Sequence, residues 1–422
     1  MKTKNAHSNR YQRIVVEICR ILVGFVFIFS GFVKAVDPWG LAYKIQEIFA
    51  VWNLSFFNSL ALPASFFLSA LEFTLGVCLL LGLYRKVVSV LTFLFMCFMT
   101  PYTLYLAIFN PVTDCGCFGD VLVITNWQTF FKNVILIIAA ALVLLWHKQM
   151  YRLYSLKYRA WVVGLTSVFI LGISTYCFFF LPVLDFRPYK IGNNIPELMQ
   201  IPEGASPDIY ETKLIYEYEG IRETFTMENY PKAGSGWTFV RASNVLIKKG
   251  YEPPIHDFVI RTVADEDITD EVLGDSSYTF LLIANKLEEA DDARIADINS
   301  VYDYAVKNNY RFLCLTASLP GQIKEWKAST GAEYPFCTTD DVTLKTIIRS
   351  NPGLMLIKEG VIINKWPYRS IPGDAELQVP LDASDLGVLP VNRDLRNILL
   401  LALILIIPLW IIWVANKLNK MK

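Results

Sequence analysis

Six apolar runs, each close to the roughly 20 residues needed to cross about 30 Å of hydrocarbon, constrain this chain more than any other feature. They run from Ile14 to Val33, and from about Leu62 to Leu83, Val87 to Phe109, Trp127 to His147, Trp161 to Leu181 and Ile398 to Val414. Inside a bilayer every backbone N–H and C=O must be satisfied within the protein, so runs of this length read as helices. Of the 422 residues, 54% are hydrophobic, which sets aside an ordinary soluble protein. Lys plus Arg and Asp plus Glu both number 39, with no long basic run, so nucleic-acid binding is disfavoured.

Lys2, Lys4, Arg10 and Arg13 precede the first run, as in a signal peptide. The run is longer than an h-region of about 7–15 residues, and Val33-Lys34-Ala35 is a poor cleavage site, so it reads as a retained span. Basic residues also collect at Arg85-Lys86, between His147 and Arg159, and at Lys417, Lys420 and Lys422. If every run crosses once, all of these fall on one face. The positive-inside bias then places both termini in the cytoplasm. The loop around Trp39, the loop holding Cys115 and Cys117, and the whole of Pro182 to Arg396 fall outside.

The eight cysteines are Cys19, Cys78, Cys97, Cys115, Cys117, Cys177, Cys314 and Cys337; there is no Cys-x-x-Cys, and the three histidines do not cluster. A zinc-finger spacing is absent. Only Asp114-Cys115-Gly116-Cys117-Phe118-Gly119-Asp120, in a break between two spans, puts two thiols close together. A disulfide across one intervening residue closes a small ring, which would suit thiol–disulfide exchange. Two other readings stay open: a structural disulfide from each to another cysteine, with Cys177 nearest by depth, or metal ligation, for which companions are lacking. Cysteines in the other spans read as small hydrophobes. Cys314 reads as core. Cys337, just before a helix-capping Thr338-Thr339-Asp340-Asp341, is either a packing residue or a thiol stabilised by a helix N-terminus.

Glu72 falls near the middle of the second span, where an ionisable side chain is expected to face the bundle and pair. Lys34 and Lys132 are the candidate partners, either as a structural ion pair or as a proton or ligand site. Lys132 and Asn133 interrupt the fourth span, and Lys132 is near enough to its outer end to snorkel.

Between Leu184 and Asp394 the composition turns mixed and soluble. A linker near Pro196 to Pro207 leads to Lys213–Phe225, an alternating hairpin turning at Glu219-Gly220. Strands at Tyr278–Ala284 and Tyr310–Thr316 then alternate with helices at about Asp292–Lys307 and Pro320–Thr330. A short run at Tyr334–Cys337, a helix at Asp341–Ser350 and strands at Leu354–Lys358 and Val361–Trp366 complete an α/β pattern. The acidic run Glu288 to Asp292 reads as a solvated first helical turn.

Two resemblances follow from these residues. Arg20 to Gly24, Ser30 to Lys34, Glu72 with Gly76, and Asp114 to Gly119 with Trp127 and Lys132-Asn133 make residues 13–147 similar to the DoxX/MauE-type membrane family. That resemblance implies thiol- or quinone-linked redox work and maturation of disulfide-containing extracytoplasmic partners. It implies Cys115 and Cys117 as the redox pair, with Lys34 and Glu72 as polar positions of the bundle. The order of elements from Tyr278 to Trp366, with Asn351-Pro352 before a strand, resembles a thioredoxin fold. Asn285 to Glu289 stands where that fold would carry its dithiol, so the domain is expected to act as a binding platform, docking a partner near the Cys115 loop.

The expected architecture is a membrane helix bundle of six spans with an extracytoplasmic thioredoxin-like α/β domain. Residues 1–150 form the four-helix part, 151–183 the fifth span, 184–394 the outer region (β-rich to 277, thioredoxin-like over 278–370), and 395–422 the last span and tail. The leading function is thiol–disulfide exchange at Cys115 and Cys117 with an extracytoplasmic thiol protein, with a membrane quinone as the candidate electron acceptor. One rival is a non-enzymatic scaffold whose cysteines only staple a loop. Another is a solute transporter using Glu72 and Lys132, for which inverted repeats of broken helices are lacking.

Overall fold

The computed structural model describes residues 2–112, 114–206, 209–232, 234–248 and 250–421. Pro207 of the linker and Lys422 of the basic tail lie outside the described residues. Five of the six helices long and apolar enough to span a membrane come first. They are α1 (Lys2–Val36), then, after the shorter α2 (Pro38–Val51), α3 (Asn58–Leu81), α4 (Arg85–Phe109), α5 (Asn126–Leu145) and α6 (Leu156–Phe179).

Helices α1 and α3 touch along their backbones, because small residues meet at the contact. A Cβ on Gly31 would lie 2.5 Å from the Phe73 nitrogen, and one on Gly76 would lie 2.7 Å from the Gly24 oxygen. In lipid, where apolar faces gain little by hiding from one another, such close approach is a main source of helix association. Helices α4 and α5 are stitched by polar side chains instead. Asn133 Nδ2 donates to Thr103 Oγ1 (3.1 Å), and Asn126 Nδ2 donates to Asn110 Oδ1 (2.8 Å) and to the Val112 carbonyl (2.9 Å). Of the two residues that interrupt the fourth apolar run, Asn133 is therefore one of its packing contacts.

The loop expected around Trp39 is instead a helix. Asp37 caps α2 by accepting from the Gly40 N–H at 2.9 Å, and Pro38 occupies the first turn, where its missing N–H costs nothing. Trp39 stacks on Phe178 of α6, which lays α2 across the end of the bundle.

Beyond α6 come α7 (Ile195–Met199) and the strands β1 (Ile209–Tyr218), β2 (Ile221–Thr226) and β3 (Thr238–Lys248). These strands form an antiparallel sheet in the order β2-β1-β3, with Glu219 and Gly220 at the hairpin turn. The rest of this region between α6 and the last helix, called the outer domain for its place beyond the helix bundle, comprises β4 (Arg261–Thr262), α8 (Thr269–Leu273), β5 (Tyr278–Ile283), α9 (Ile295–Lys307), β6 (Arg311–Thr316), α10 (Pro320–Thr330), β7 (Phe336–Thr338), α11 (Asp341–Ile347), β8 (Gly353–Lys358) and β9 (Val361–Pro367). Its sheet runs β4-β7-β6-β5-β8-β9. Strands β5, β6 and β7 are mutually parallel, and β8 and β9 form an antiparallel hairpin beside them. A parallel βαβ unit, a cis Asn351–Pro352 bond and a closing hairpin make this a thioredoxin-type arrangement. Strand β5 is buried throughout because one core lies on each face of the sheet: Phe280 and Leu282 point into one, Leu281 and Ile283 into the other.

The acidic run does not open a helix. Leu287–Glu289 is a single 3-10 turn, Ala290 is extended, and α9 begins only at Ile295. The Asp291 N–H is used by the Asn351 carbonyl, and Glu288 accepts from Ser318 Oγ, which holds this segment against its neighbours. Helix α11 likewise stops at Ile347, short of the expected Ser350. The chain ends in α12 (Asp394–Met421), the sixth membrane-length helix. Buried Asn416 ties it to the turn before α6, accepting from the Ser155 N–H at 3.0 Å and donating to the Leu153 carbonyl at 3.1 Å.

Candidate functional site

The close contact of α1 and α3 sets up the site. It brings Lys34 and Ser30 of α1 onto Glu72 of α3, which is 3% exposed. Lys34 Nζ donates to Glu72 Oε1 at 2.6 Å. Ser30 Oγ donates to the Cys117 carbonyl oxygen at 2.7 Å and lies 2.6 Å from Glu72 Oε2. The loop bearing the cysteines is thereby tied into the bundle through Ser30. Of the two expected partners for Glu72, Lys34 is the one found. Lys132 turns elsewhere: its ammonium lies 4.1 Å from the centroid of the Phe118 ring, beside the cysteine pair.

The loop itself is shaped by short-range chemistry. Asp114 Oδ1 accepts from the Gly116 N–H at 2.7 Å, a turn in which the side chain stands in for a backbone carbonyl. Gly116 sits at φ +65°, where a side chain would be strained and a Cβ would press on Lys44 at 3.2 Å. This turn folds the flanking residues together, leaving the Cys115 and Cys117 sulfurs 3.0 Å apart as free thiols. Cys115 is half-buried and packs with Ile48, Leu106 and Val112; Cys117 is 7% exposed.

Their ionisation differs accordingly. A hydrogen bond from Cys115 brings the Cys117 thiol down to about 6; burial opposes this, and the Lys132 and Lys34 ammoniums add to it. Cys115 goes well above the ordinary thiol range, first because it holds the shared proton and then through burial. A thiolate, not a thiol, attacks disulfides, so this pair has a reactive form available at neutral pH.

The outer domain reaches the loop directly, which its sequence does not disclose. Arg349, just after α11 and 7% exposed, lays its guanidinium on Asp37, with Nη2 to Oδ2 at 2.8 Å and Nε to both carboxylate oxygens at 3.1 Å. It also lies 3.6 Å from Asp120, three residues past Cys117. A Cβ at position 40 would collide with the Asp37 carboxylate and lie 3.1 Å from Arg349 Nη2, so a glycine there leaves room for the pair. Burial works against both charges, but their mutual attraction wins: the Asp37 carboxyl falls below the usual range and the Arg349 guanidinium is held charged. The connection from α6 is clamped as well. Asp185 accepts from Arg187 at 2.8 Å and from Lys365 Nζ at 3.1 Å, and Arg187 Nη1 donates to the Thr346 carbonyl. Between α2, the cysteine loop and α11 lies a cavity of about 680 Å³, with Lys44, Glu47, Asp114, Gly116, Lys345 and Arg349 among its walls.

The remaining cysteines stand apart from this chemistry. Cys177, the nearest expected disulfide partner, is buried in an apolar cluster with Val77, Ile173 and Leu184. Cys314 and Cys337 belong to the two cores of the outer sheet, and burial pushes both thiols up. Cys337 is thus a packing residue: the cap of α11 is supplied by Asp340, which accepts from the Thr343 N–H at 3.0 Å. No group of three or more metal-ligating side chains occurs among the described residues. At the place of a thioredoxin dithiol, Asn351 Nδ2 donates to the Lys286 carbonyl at 2.7 Å and closes the segment down.

These features define a polytopic membrane protein carrying a thioredoxin-type domain over a paired-thiol loop. Residues 12–147 match the family model described as Methylamine utilisation protein MauE, and residues 210–249 match a Domain of unknown function (DUF8463). The chain is 29% identical over 121 residues to Protein TlpB of Flavobacterium psychrophilum; the match covers 28% of this chain and 33% of that protein's length. Among solved structures, StoA from Bacillus subtilis is 16% identical at a TM-score of 0.21, covering 26% of this chain and 87% of that one. An uncharacterized conserved protein from Geobacillus kaustophilus is 14% identical at a TM-score of 0.24, covering 32% and 82%.

Proposed function

We propose that this is an inner-membrane thiol–disulfide exchange protein of the DoxX/MauE type, with both termini cytoplasmic and the cysteine loop and outer domain extracytoplasmic. Cys115 and Cys117 take two electrons from the dithiol of an extracytoplasmic protein. That protein gains a disulfide as the pair is reduced. The pair would then pass its two electrons and its one shared proton to a membrane quinone, which takes its second proton from water and leaves as the quinol. The observation that carries this reading is the pair itself: two sulfurs 3.0 Å apart, one of them acidified to about 6. The MauE match over residues 12–147 supports the same reading.

The test is the redox state of the pair in intact cells, read with a membrane-impermeant maleimide before and after mild reductant, with Cys115→Ser and Cys117→Ser as controls. Labelling that requires reductant and is reversed by a thiol partner is the expected result. Sulfurs that remain free throughout, or a disulfide opened only by strong reductant, overturn it.

A scaffold reading draws on the outer domain, whose dithiol position is closed by Asn351 and whose Arg349 is committed to Asp37. It separates from exchange by one comparison. A scaffold tolerates serine at both cysteines and fails without residues 184–394.

A further inference from the structure

Cys115 and Cys117 are identical side chains in unlike surroundings. Cys115 packs on the Ile48, Leu106 and Val112 cluster that Tyr102 and Tyr105 of α4 also join, an apolar and aromatic wall; the Lys34 and Lys132 ammoniums act on it too, but burial and the shared proton outweigh them. Cys117 precedes Phe118, whose ring carries the Lys132 ammonium. Lys34 is bound to Glu72 at 2.6 Å, which largely cancels its charge locally. Lys132, by contrast, has no carboxylate at ion-pair distance among the described residues, and an ammonium in a span is costly unless an anion or water compensates it. The charged and titratable groups facing Cys117 are therefore Cys115 from its own loop, Lys132 on α5, Lys34 on α1, Glu72 on α3 and Tyr102 on α4.

We infer that Cys117 is the thiolate of the reduced pair and its leaving group in exchange, that Lys132 is the counter-cation of that thiolate, and that Cys115 is the sulfur an incoming thiol attacks. In the oxidised pair, a partner thiolate bonds to Cys115 Sγ and the Cys115–Cys117 bond breaks. Its electron pair stays on Cys117, beside Lys132, and no proton is needed. The second partner thiol, having lost its proton to water, attacks the partner's own sulfur in the mixed disulfide. Cys115 leaves and takes up one proton, which it shares with Cys117. The partner dithiol is oxidised, the pair is reduced, and one proton stays on the pair. A leaving thiol of low pKa departs faster, so the acidic sulfur belongs in this role. The exposure order agrees: Cys115 is the half-buried sulfur and Cys117 the buried one.

The ionisation stands apart from the exchange reading, whereas the step rests on it, and the experiment reads them separately. In the full chain in detergent, iodoacetamide labelling of each sulfur is followed against pH by mass spectrometry. In Cys115→Ser, where a hydroxyl can still donate, Cys117 is expected to label with a midpoint below the ordinary thiol value of about 8.5. Lys132→Met raises that midpoint by about one unit or more, close to a tenfold loss of thiolate below it, while Lys132→Arg holds it. Lys132→Gln, which keeps a polar tip, repeats the Met shift if the Met chain unfolds. In Cys117→Ser, Cys115 labels at or above the ordinary value and shifts less with position 132 than Cys117 does, since burial dominates there. An ordinary Cys117 midpoint, indifference to all three Lys132 variants, or an acidic Cys115 overturns the assignment. Separately, the oxidised wild-type chain is mixed with a synthetic peptide dithiol. An acidic, Lys132-dependent Cys117 in a pair the peptide cannot reduce leaves the assignment standing and removes the exchange function. Reduction that is equally fast in Lys132→Met removes the leaving-group role alone.

Discussion

The membrane loop and the outer domain each carry two cysteines, and their environments are opposite. Cys314 and Cys337 lie in the two cores of a sheet, and burial keeps them protonated, outweighing the Lys327 ammonium near Cys314. Cys115 and Cys117 are also largely removed from water, yet one of them is acidified to about 6. Burial alone therefore does not decide reactivity. What distinguishes the loop is a second sulfur 3.0 Å away and two ammoniums delivered by α1 and α5. The domain with a thioredoxin-type sheet has cysteines that burial keeps protonated, and the domain without one has the acidified pair.

The sharpest challenge to this contrast is exchange by serine variants. Cys115→Ser and Cys117→Ser are each expected to abolish oxidation of a peptide dithiol, because neither chain can form the loop disulfide, whereas Cys314→Ser and Cys337→Ser keep the wild-type rate. An active Cys117→Ser chain would collapse the distinction.

Next in size is the buried tie beneath the loop. Glu72→Ala strands Lys34 and should cost about 3–5 kcal/mol, the usual penalty for breaking a buried pair. Thermal melting in detergent reads the loss. Replacing both partners, Lys34→Met with Glu72→Gln, should recover much of the stability.

The clamp between the two regions comes third. Arg349→Ala is expected to remove about 2–3 kcal/mol from the seating of the outer domain, in the range for hydrogen bonds to charged groups. Faster proteolysis between α6 and α7 would register it, and Arg349→Lys should rescue only in part, because it cannot match the fork. The pH response has a definite sign. Asp37 is lowered in the folded protein, so its contribution is fully present above the ordinary carboxylate range and fades as pH falls through its lowered folded value. Seating should thus be constant from about pH 5 to 8 and weaken only in stronger acid.

The smallest effect is at Cys314. A serine there buries a hydroxyl in an apolar core, for about 1–3 kcal/mol of outer-domain stability, with no change in exchange. Equal loss of exchange would mean that the two regions share one redox path.

Much of this protein was determined by sequence alone. Six apolar runs demand helices in lipid, strict alternation specifies the hairpin at Glu219-Gly220, and the spacing of Cys115 and Cys117 around a glycine marks a thiol pair. These are local matters, legible over a few residues. Only the tertiary structure decided the rest. It turned the loop near Trp39 into α2, gave Glu72 to Lys34 and turned Lys132 toward Phe118. It moved Glu288 to Asp292 out of a helix and brought Arg349 onto Asp37, 312 positions away in the chain. Each of these depends on which backbones approach closely, and above all on the glycine contact of α1 with α3. A charge reads the same in sequence whether its partner is water, a carboxylate or a thiolate; packing determines which one it meets.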